Sequence, residues 1–293
     1  MTHHIEERFV EVEGGRVFCR CVGKGARGTP LLALHGGPGA PHDYLAPLEA
    51  LADERPVWFY DQLGCGRSDR PHDPSLWTLA RYVRELAKVR AALGLDRFFL
   101  FGQSWGSMLA VEYALDEGQE GIAGLVLTGA CLSAARFEAD QRRYVRELPE
   151  KMRNAIVAAE ASGDCESPEY QDAMMEYYRR HICRLDPWPE VMVKAFEQLN
   201  REIYLQMWGE SEFTVTGTLK NFDLTERLGE IRVPTFLMCG EFDEATPEST
   251  REYQRRITGA ESAVIEGTSH MHLIEKPDEC LRRIRDFLHR AEK

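Results

Sequence analysis

The sequence is poor in the features that mark several broad classes of protein. Its eight cysteines, at positions 19, 21, 65, 131, 165, 183, 239 and 280, include no CxxC pair and no regular spacing. That excludes a disulfide scaffold and reads as the reduced, mostly buried thiols of a cytosolic protein. Histidines are no better arranged for metal: His3-His4 is terminal, His270-x-His272 is too short a motif alone, and no HExxH occurs. Neither a metal nor a cofactor is expected. Apolar residues never run together for the roughly 18 positions that a membrane-spanning helix needs. The first eight residues carry acidic charge where a secretory signal needs a basic and then an apolar run. Positive charge is in deficit too, 36 Lys and Arg against 48 Asp and Glu, a formal −12. A field of that sign repels phosphate backbones and anionic lipid, so nucleic acid and membranes are poor partners. A cytoplasmic location is expected.

What remains is a chain with 43% hydrophobic and 29% charged residues over 293 positions, enough for one large core or a core with an inserted module. Short β-rich runs recur at Phe9–Val12, Val17–Cys21, Leu31–Leu34, Val57–Tyr60, Phe98–Phe101, Leu125–Thr128, Thr235–Cys239 and Ala263–Ile265. From Leu31 onward most are continuously apolar, as strands of a parallel sheet buried on both faces must be. Helical periods separate them: Leu79, Tyr82, Val83, Leu86, Val89 and Leu93 share one face behind Thr78, a good N-cap. Strand and helix in alternation predict an α/β fold with a mostly parallel sheet and helices on both faces.

Between Cys131 and Asn221 the rhythm stops, and charged, aromatic-rich helical stretches take over at Ala134–Arg146, Met152–Ala161, Pro168–Arg184 and Pro189–Trp208. The expected division is a first core segment 1–130, an all-α insertion 131–221 and a second core segment 222–293. Pro187-Trp188-Pro189 is expected to be a hinge between helices of the insertion.

The sharpest chemical signal is Gly102-Gln103-Ser104-Trp105-Gly106, directly after one strand and before a helical run. With 11 serines and 24 glycines in the chain, Gly-x-Ser-x-Gly arises by chance about 0.07 times, and far less often in that setting. It reads as a nucleophile elbow, whose serine sits on a strained turn between two glycines that let backbones pass closely. A serine hydroxyl needs a general base that is itself oriented. In the chain order such folds require, the acid comes next and the histidine last. The loops after the last two strands supply Asp243 and His270, with Glu241 or Glu244 as alternative acids and His272 as an alternative base. A third loop, His35-Gly36-Gly37-Pro38-Gly39, can turn the Gly37 N–H toward a developing oxyanion, paired with the N–H of Trp105.

Taken together, His35–Gly39, the stretch Asp61-Gln-Leu-Gly-Cys-Gly-Arg-Ser68 and Gly102–Ser107 resemble the proline iminopeptidases of the α/β-hydrolase superfamily. The similarity runs over essentially the whole chain. Through Ser211–Lys220 and Gly240–Pro247 it is closest to the branch typified by the archaeal tricorn-interacting aminopeptidase. The resemblance implies an α/β-hydrolase fold with an eight-stranded sheet and a helical cap formed by the insertion. It implies the triad Ser104, Asp243 and His270, the oxyanion hole Gly37 and Trp105, and an amine site made by Glu212 and Glu244. The substrates it implies are short peptides or aminoacyl amides with a free N-terminus, cut after an N-terminal residue that is preferably proline. Glu210 is an additional carboxylate that could compete for the amine. Tyr177, Tyr178, Trp188, Tyr204, Trp208 and Phe213 are candidates to line a pocket for the prolyl ring, although aromatic spacing of this kind also serves helix packing.

Other readings of the same residues are an amino-acid amide hydrolase or acyltransferase, a general carboxylesterase that has no use for Glu212 and Glu244, and a non-catalytic hydrolase-fold binding protein. The intact Ser, Asp and His set speaks against the last.

Overall fold

A computed structural model describes residues 4–293; Met1, Thr2 and His3, the first of the terminal histidine pair, lie outside the described residues. Eight strands form one sheet: β1 (Ile5–Val12), β2 (Gly15–Val22), β3 (Leu31–Leu34), β4 (Val57–Tyr60), β5 (Phe98–Gln103), β6 (Ile122–Thr128), β7 (Thr235–Gly240) and β8 (Glu261–Ile265). Their spatial order is β1-β2-β4-β3-β5-β6-β7-β8. Only β1–β2 and β2–β4 pair antiparallel; the five remaining pairings are parallel. The β1–β2 hairpin turns at Glu13-Gly14 with Gly14 at φ 93°, a conformation favouring glycine. Glu6, Glu7, Arg8 and Glu11 on β1 place charge along this edge of the sheet, which discourages pairing with another chain.

The apolar runs from β3 to β7 are buried at every position. Successive residues point to opposite faces of a strand, and the core divides accordingly. Leu32, Leu34, Trp58, Tyr60 and Leu100 pack with Tyr82, Val83 and Leu86 of α1 (Leu79–Leu93) and with Met108 and Leu109 of α2 (Trp105–Asp116). Leu31, Ala33, Phe59, Phe101 and Val126 face the other way, toward a 3₁₀ segment, Asp43–Asp53, and toward Ile284, Phe287 and Leu288 near the C-terminus. Helix α1 is closed at both ends as its sequence predicts, by the Thr78 side chain accepting from the Arg81 N–H and by Gly94 in the left-handed conformation.

Between β6 and β7 lie α3 (Ala134–Glu147), α4 (Glu150–Ser162), α5 (Pro168–His181), α6 (Glu190–Glu197) and α7 (Arg201–Met207). The two ends of this segment meet at an isolated bridge between Ser133 and Asp223. Helices α8 (Pro247–Arg256), α9 (His272–Glu275) and α10 (Pro277–Ala291) follow β7 and β8.

Two helical expectations need correction. The Pro168–Arg184 stretch stops at His181, because the His181 and Ile182 carbonyls accept the N–H groups of His270 and Met271. The Pro189–Trp208 stretch is two helices, α6 and α7. Asn200 starts the second, accepting the Glu202 N–H, while its own N–H and Nδ2 donate to the Gly39 and Gly64 carbonyls. Those ties to neighbouring loops replace the bonds that a continuous helix would have made.

Candidate active site

Ser104 follows β5 and precedes α2 at φ 54° and ψ −123°, the one non-glycine with positive φ among the described residues. Such a conformation costs of order 1–3 kcal/mol and persists only where the surroundings impose it. Its neighbours show how. A Cβ on Gly102 would lie 2.3 Å from the Gly106 carbonyl oxygen, and one on Gly106 would lie 2.3 Å from that of Leu34. Both must be glycine for β5, α2 and β3 to approach.

The loops leaving β7 and β8 bring Asp243 and His270 together. His270 Nδ1 is 2.7 Å from Asp243 Oδ1, with both side chains buried. Asp243 also accepts the Gly240 and Ala245 N–H groups. Burial would raise its carboxyl pKa, but His270 and His272 outweigh that and hold it well below the usual range. Of the alternatives weighed in the sequence, Glu244 faces the other ring nitrogen, with Oε1 3.5 Å from His270 Nε2. Glu241 accepts the Gly267 N–H, and His272 Nδ1 is 3.6 Å from Asp243 Oδ2, the carboxylate oxygen farther from His270. Gly129, at the end of β6, was not singled out in the sequence. It sits at φ 53°, and a Cβ there would come within 2.6 Å of His270 Cε1.

The His35–Gly39 loop lies beside Ser104, where a Cβ on Gly36 would come 3.1 Å from the Ser104 Cβ. Neither the Gly37 nor the Trp105 N–H donates to a protein acceptor among the described residues, and both residues border a cavity containing Ser104 and His270. Gln62 ties the two sides together: its Nε2 donates to the His35 carbonyl at 3.1 Å, and its Oε1 accepts the Trp105 indole N–H at 2.8 Å. The Gln62 N–H in turn donates to His35 Nε2, which leaves His35 Nδ1 to donate to the Gly36 carbonyl. Burial lowers the His35 pKa to about 4, which keeps that arrangement neutral. Asp61 braces the same region by accepting from the His42 and Arg67 N–H groups.

A cavity of about 430 Å³ opens above Ser104, with walls that include Gln103, Tyr178, Tyr204, Glu212, Glu244 and His270. The Tyr178 and Tyr204 hydroxyls each donate to Glu212 Oε2 at 2.7 Å. Glu244 is buried, with Oε1 3.5 Å from His270 Nε2 and Oε2 without a hydrogen-bond partner among the described residues. Burial raises the Glu244 pKa; His270 opposes the rise and Glu212 adds to it, taking the group up to about 8. Burial raises Glu212 as well, against the two tyrosine hydroxyls. Two carboxyls facing one cavity, neither paired to a Lys or Arg among the described residues, are held there at an electrostatic cost, which a bound ammonium group would relieve. At His270 burial favours the neutral ring, but Asp243, Glu244 and Glu212 together take it up to about 9.

Of the six candidate aromatics, Tyr178 and Tyr204 line the large cavity and Trp208 a narrower one beside Ser104, about 20 Å³ in volume. Tyr177, Trp188 and Phe213 border neither of these two cavities. Tyr177 is fully buried against Gln141, and Phe213 packs edge-on against its ring. Trp188 donates its indole N–H to the Cys183 carbonyl. Phe137, from α3, also walls the narrow cavity, in edge contact with Trp208 at 5.0 Å. Glu210 borders the large cavity but not the narrow one.

The strand order, the strained serine at the end of β5 and the acid and histidine after β7 and β8 define an α/β hydrolase. The α/β-hydrolase family profile matches residues 29–277. Within that superfamily the chain belongs to the proline iminopeptidases. It is 44% identical to the proline iminopeptidase of Heyndrickxia coagulans over 96% of this chain and 98% of that one. It superposes on the crystal structure of the Mycobacterium smegmatis proline iminopeptidase with a TM-score of 0.89, at 34% identity and 98% coverage of both chains. It also superposes on the crystal structure of VinJ, with a TM-score of 0.91 at 31% identity, covering 98% of this chain and 99% of that one.

Proposed function

We propose that this chain is a serine aminopeptidase that releases N-terminal proline from short peptides. The observation that carries the reading is the Glu212 and Glu244 pair, half-buried and buried, beside the serine and histidine, with His270 3.5 Å from Glu244 and no Lys or Arg paired to either among the described residues. It is a site for an ammonium group within reach of the bond to be cut. Ser104 attacks the first carbonyl while His270 Nε2 takes its proton. Asp243 holds the Nδ1–H tautomer and stabilises the imidazolium. The Gly37 and Trp105 N–H groups receive the oxyanion, each lowering the barrier by about 3 kcal/mol. His270 then protonates the departing amine, and water hydrolyses the prolyl-enzyme to free proline and Ser104. Phe137, Trp208, Met108 and Cys131 wall the narrow cavity beside Ser104, whose free volume is close to that of one water, so a prolyl ring would reach it only from the larger cavity.

We read residues 131–221 as a cap whose helices admit only short chains. Aminoacyl amides with a free N-terminus are substrates of the same chemistry. A cytoplasmic location is part of the proposal, supported by eight unpaired thiols, seven of them buried. Among the described residues no helix is long and apolar enough to cross a membrane.

The test is hydrolysis of prolyl, alanyl, leucyl and N-acetyl-prolyl anilides by wild type and by Ser104→Ala. The expected result is release led by the prolyl substrate, none from the acetylated one and none with Ser104→Ala. Turnover of the acetylated substrate would overturn the amine site and move the reading to an esterase.

A further inference from the structure

The residue before the proposed nucleophile is a buried glutamine, and its side chain takes no part in the steps above. Gln103 Nε2 is 2.9 Å from His270 Nε2, and Gln103 Oε1 is 2.7 Å from the Tyr44 hydroxyl. The Tyr44 oxygen is in turn 2.5 Å from the Gly36 nitrogen, in the loop that carries Gly37. All three side chains are buried.

We infer that Gly36, Tyr44 and Gln103 form a directional hydrogen-bond chain that holds the His270 Nε2 lone pair and joins the oxyanion loop to the general base. The direction is set at the backbone. The Gly36 N–H can only donate, so the Tyr44 oxygen accepts and its own hydrogen is free to go onward. Gln103 Oε1 receives it; reversing the amide would leave that buried hydroxyl hydrogen without an acceptor. Gln103 Nε2 therefore donates to His270 whenever the ring is neutral, and Nε2 then accepts. The ring proton then lies on Nδ1, toward Asp243. This is the tautomer general-base catalysis needs, set from the side opposite the aspartate in the resting site, and the Gln103 N–H must leave Nε2 before the Ser104 hydroxyl can use the same lone pair.

Gln103 is thus a positioning residue that acts through His270, and the inference rests on the proposed role of that histidine. A hydrogen bond donated to Nε2 exists only with the neutral ring, so it opposes the pull of the carboxylates. The charged and titratable groups facing His270 are Asp243 and Glu244 on the loop after β7 and Glu212 after α7. His272 shares Asp243, Tyr178 and Tyr204 face Glu212, and Tyr144 donates to the Asp243 carbonyl.

The experiment is the pH dependence of Ser104 phosphonylation by a fluorophosphonate, which requires no knowledge of the substrate, in wild type, Gln103→Leu and Tyr44→Phe. Gln103→Leu is expected to move the acid limb up by about one pH unit. Tyr44→Phe should move it the same way by less, and the double variant no further than Gln103→Leu alone. A Gln103→Leu protein that labels more slowly at every pH with the limb unmoved would overturn the chain. So would an unmoved limb in Tyr44→Phe should Gln103→Leu fail to fold. Wild-type protein that is not labelled at Ser104 would instead overturn the nucleophile assignment on which the inference rests.

Discussion

Glu244 Oε1 lies 3.5 Å from His270 Nε2, the nitrogen that must accept the serine proton in the proposed mechanism. One carboxyl group therefore borders both the proposed amine site and the base, and the two functions are electrostatically linked. With no cation bound, the glutamates help to hold His270 up to about 9 and so favour its charged, inactive form. A substrate ammonium beside Glu212 and Glu244 would cancel that field and release the base. Substrates with a free amine are then favoured in the chemical step as well as in binding.

Removing the Glu244 charge separates the two effects. Glu244→Gln should lower the acid limb of Ser104 phosphonylation, because one of the carboxylates raising His270 is gone. The same variant should lower kcat/KM for a prolyl anilide by about tenfold to a hundredfold, the loss of one charge-assisted hydrogen bond. Stopped assays across pH 5 to 10 with both probes would check this. An unmoved or rising acid limb would break the proposed link between Glu244 and the base.

Gly129 gives a purely steric prediction. A methyl group at this position would meet His270 Cε1 at 2.6 Å and Nδ1 at 2.7 Å, on a backbone at φ 53°. Gly129→Ala should reduce prolyl anilide hydrolysis by at least roughly a hundredfold through displacement of the ring, since small misplacements cost that much. The folded state should persist, with stability lower by about 1–2 kcal/mol from the strained alanine. Thermal unfolding followed alongside activity separates the two losses, and near-normal turnover in Gly129→Ala would refute the His270 assignment.

Much of this site could be read from the chain alone, for a physical reason. Gly102, Ser104 and Gly106 are neighbours in sequence, so the close approaches that demand glycine are written in one short motif. The buried parallel strands are legible as continuous apolar runs, because both of their faces are covered. What could not be read were partnerships made across loops. Gln62 reaches the His35 carbonyl and the Trp105 indole, and Gln103 reaches Tyr44 and His270, yet spacing does not reveal where a glutamine amide will point. Gly129 carries no local signal at all, since the atom that excludes a side chain there lies 141 residues further along the chain. The single Pro189–Trp208 helix expected from the sequence failed for a related reason: the loops that claim Asn200 lie far away in the chain.

The narrow cavity beside Ser104 is a boundary of the proposed site for the N-terminal residue, and its wall can be moved. Phe137 reaches it from α3 and packs edge-on against Trp208. Phe137→Leu keeps the wall apolar and removes ring volume, at a stability cost of about 1–3 kcal/mol because Phe137 is otherwise buried. The freed space should accept a branched side chain more readily than the parent site does. One methylene in an apolar pocket discriminates by about 10- to 200-fold, so the ratio of leucyl to prolyl anilide turnover should rise by about tenfold. The acetylated prolyl substrate should remain inert, because the change leaves Glu212 and Glu244 in place. Comparing kcat/KM for the three substrates decides the matter: a ratio unchanged from wild type would mean that Phe137 does not bound the pocket for the N-terminal residue.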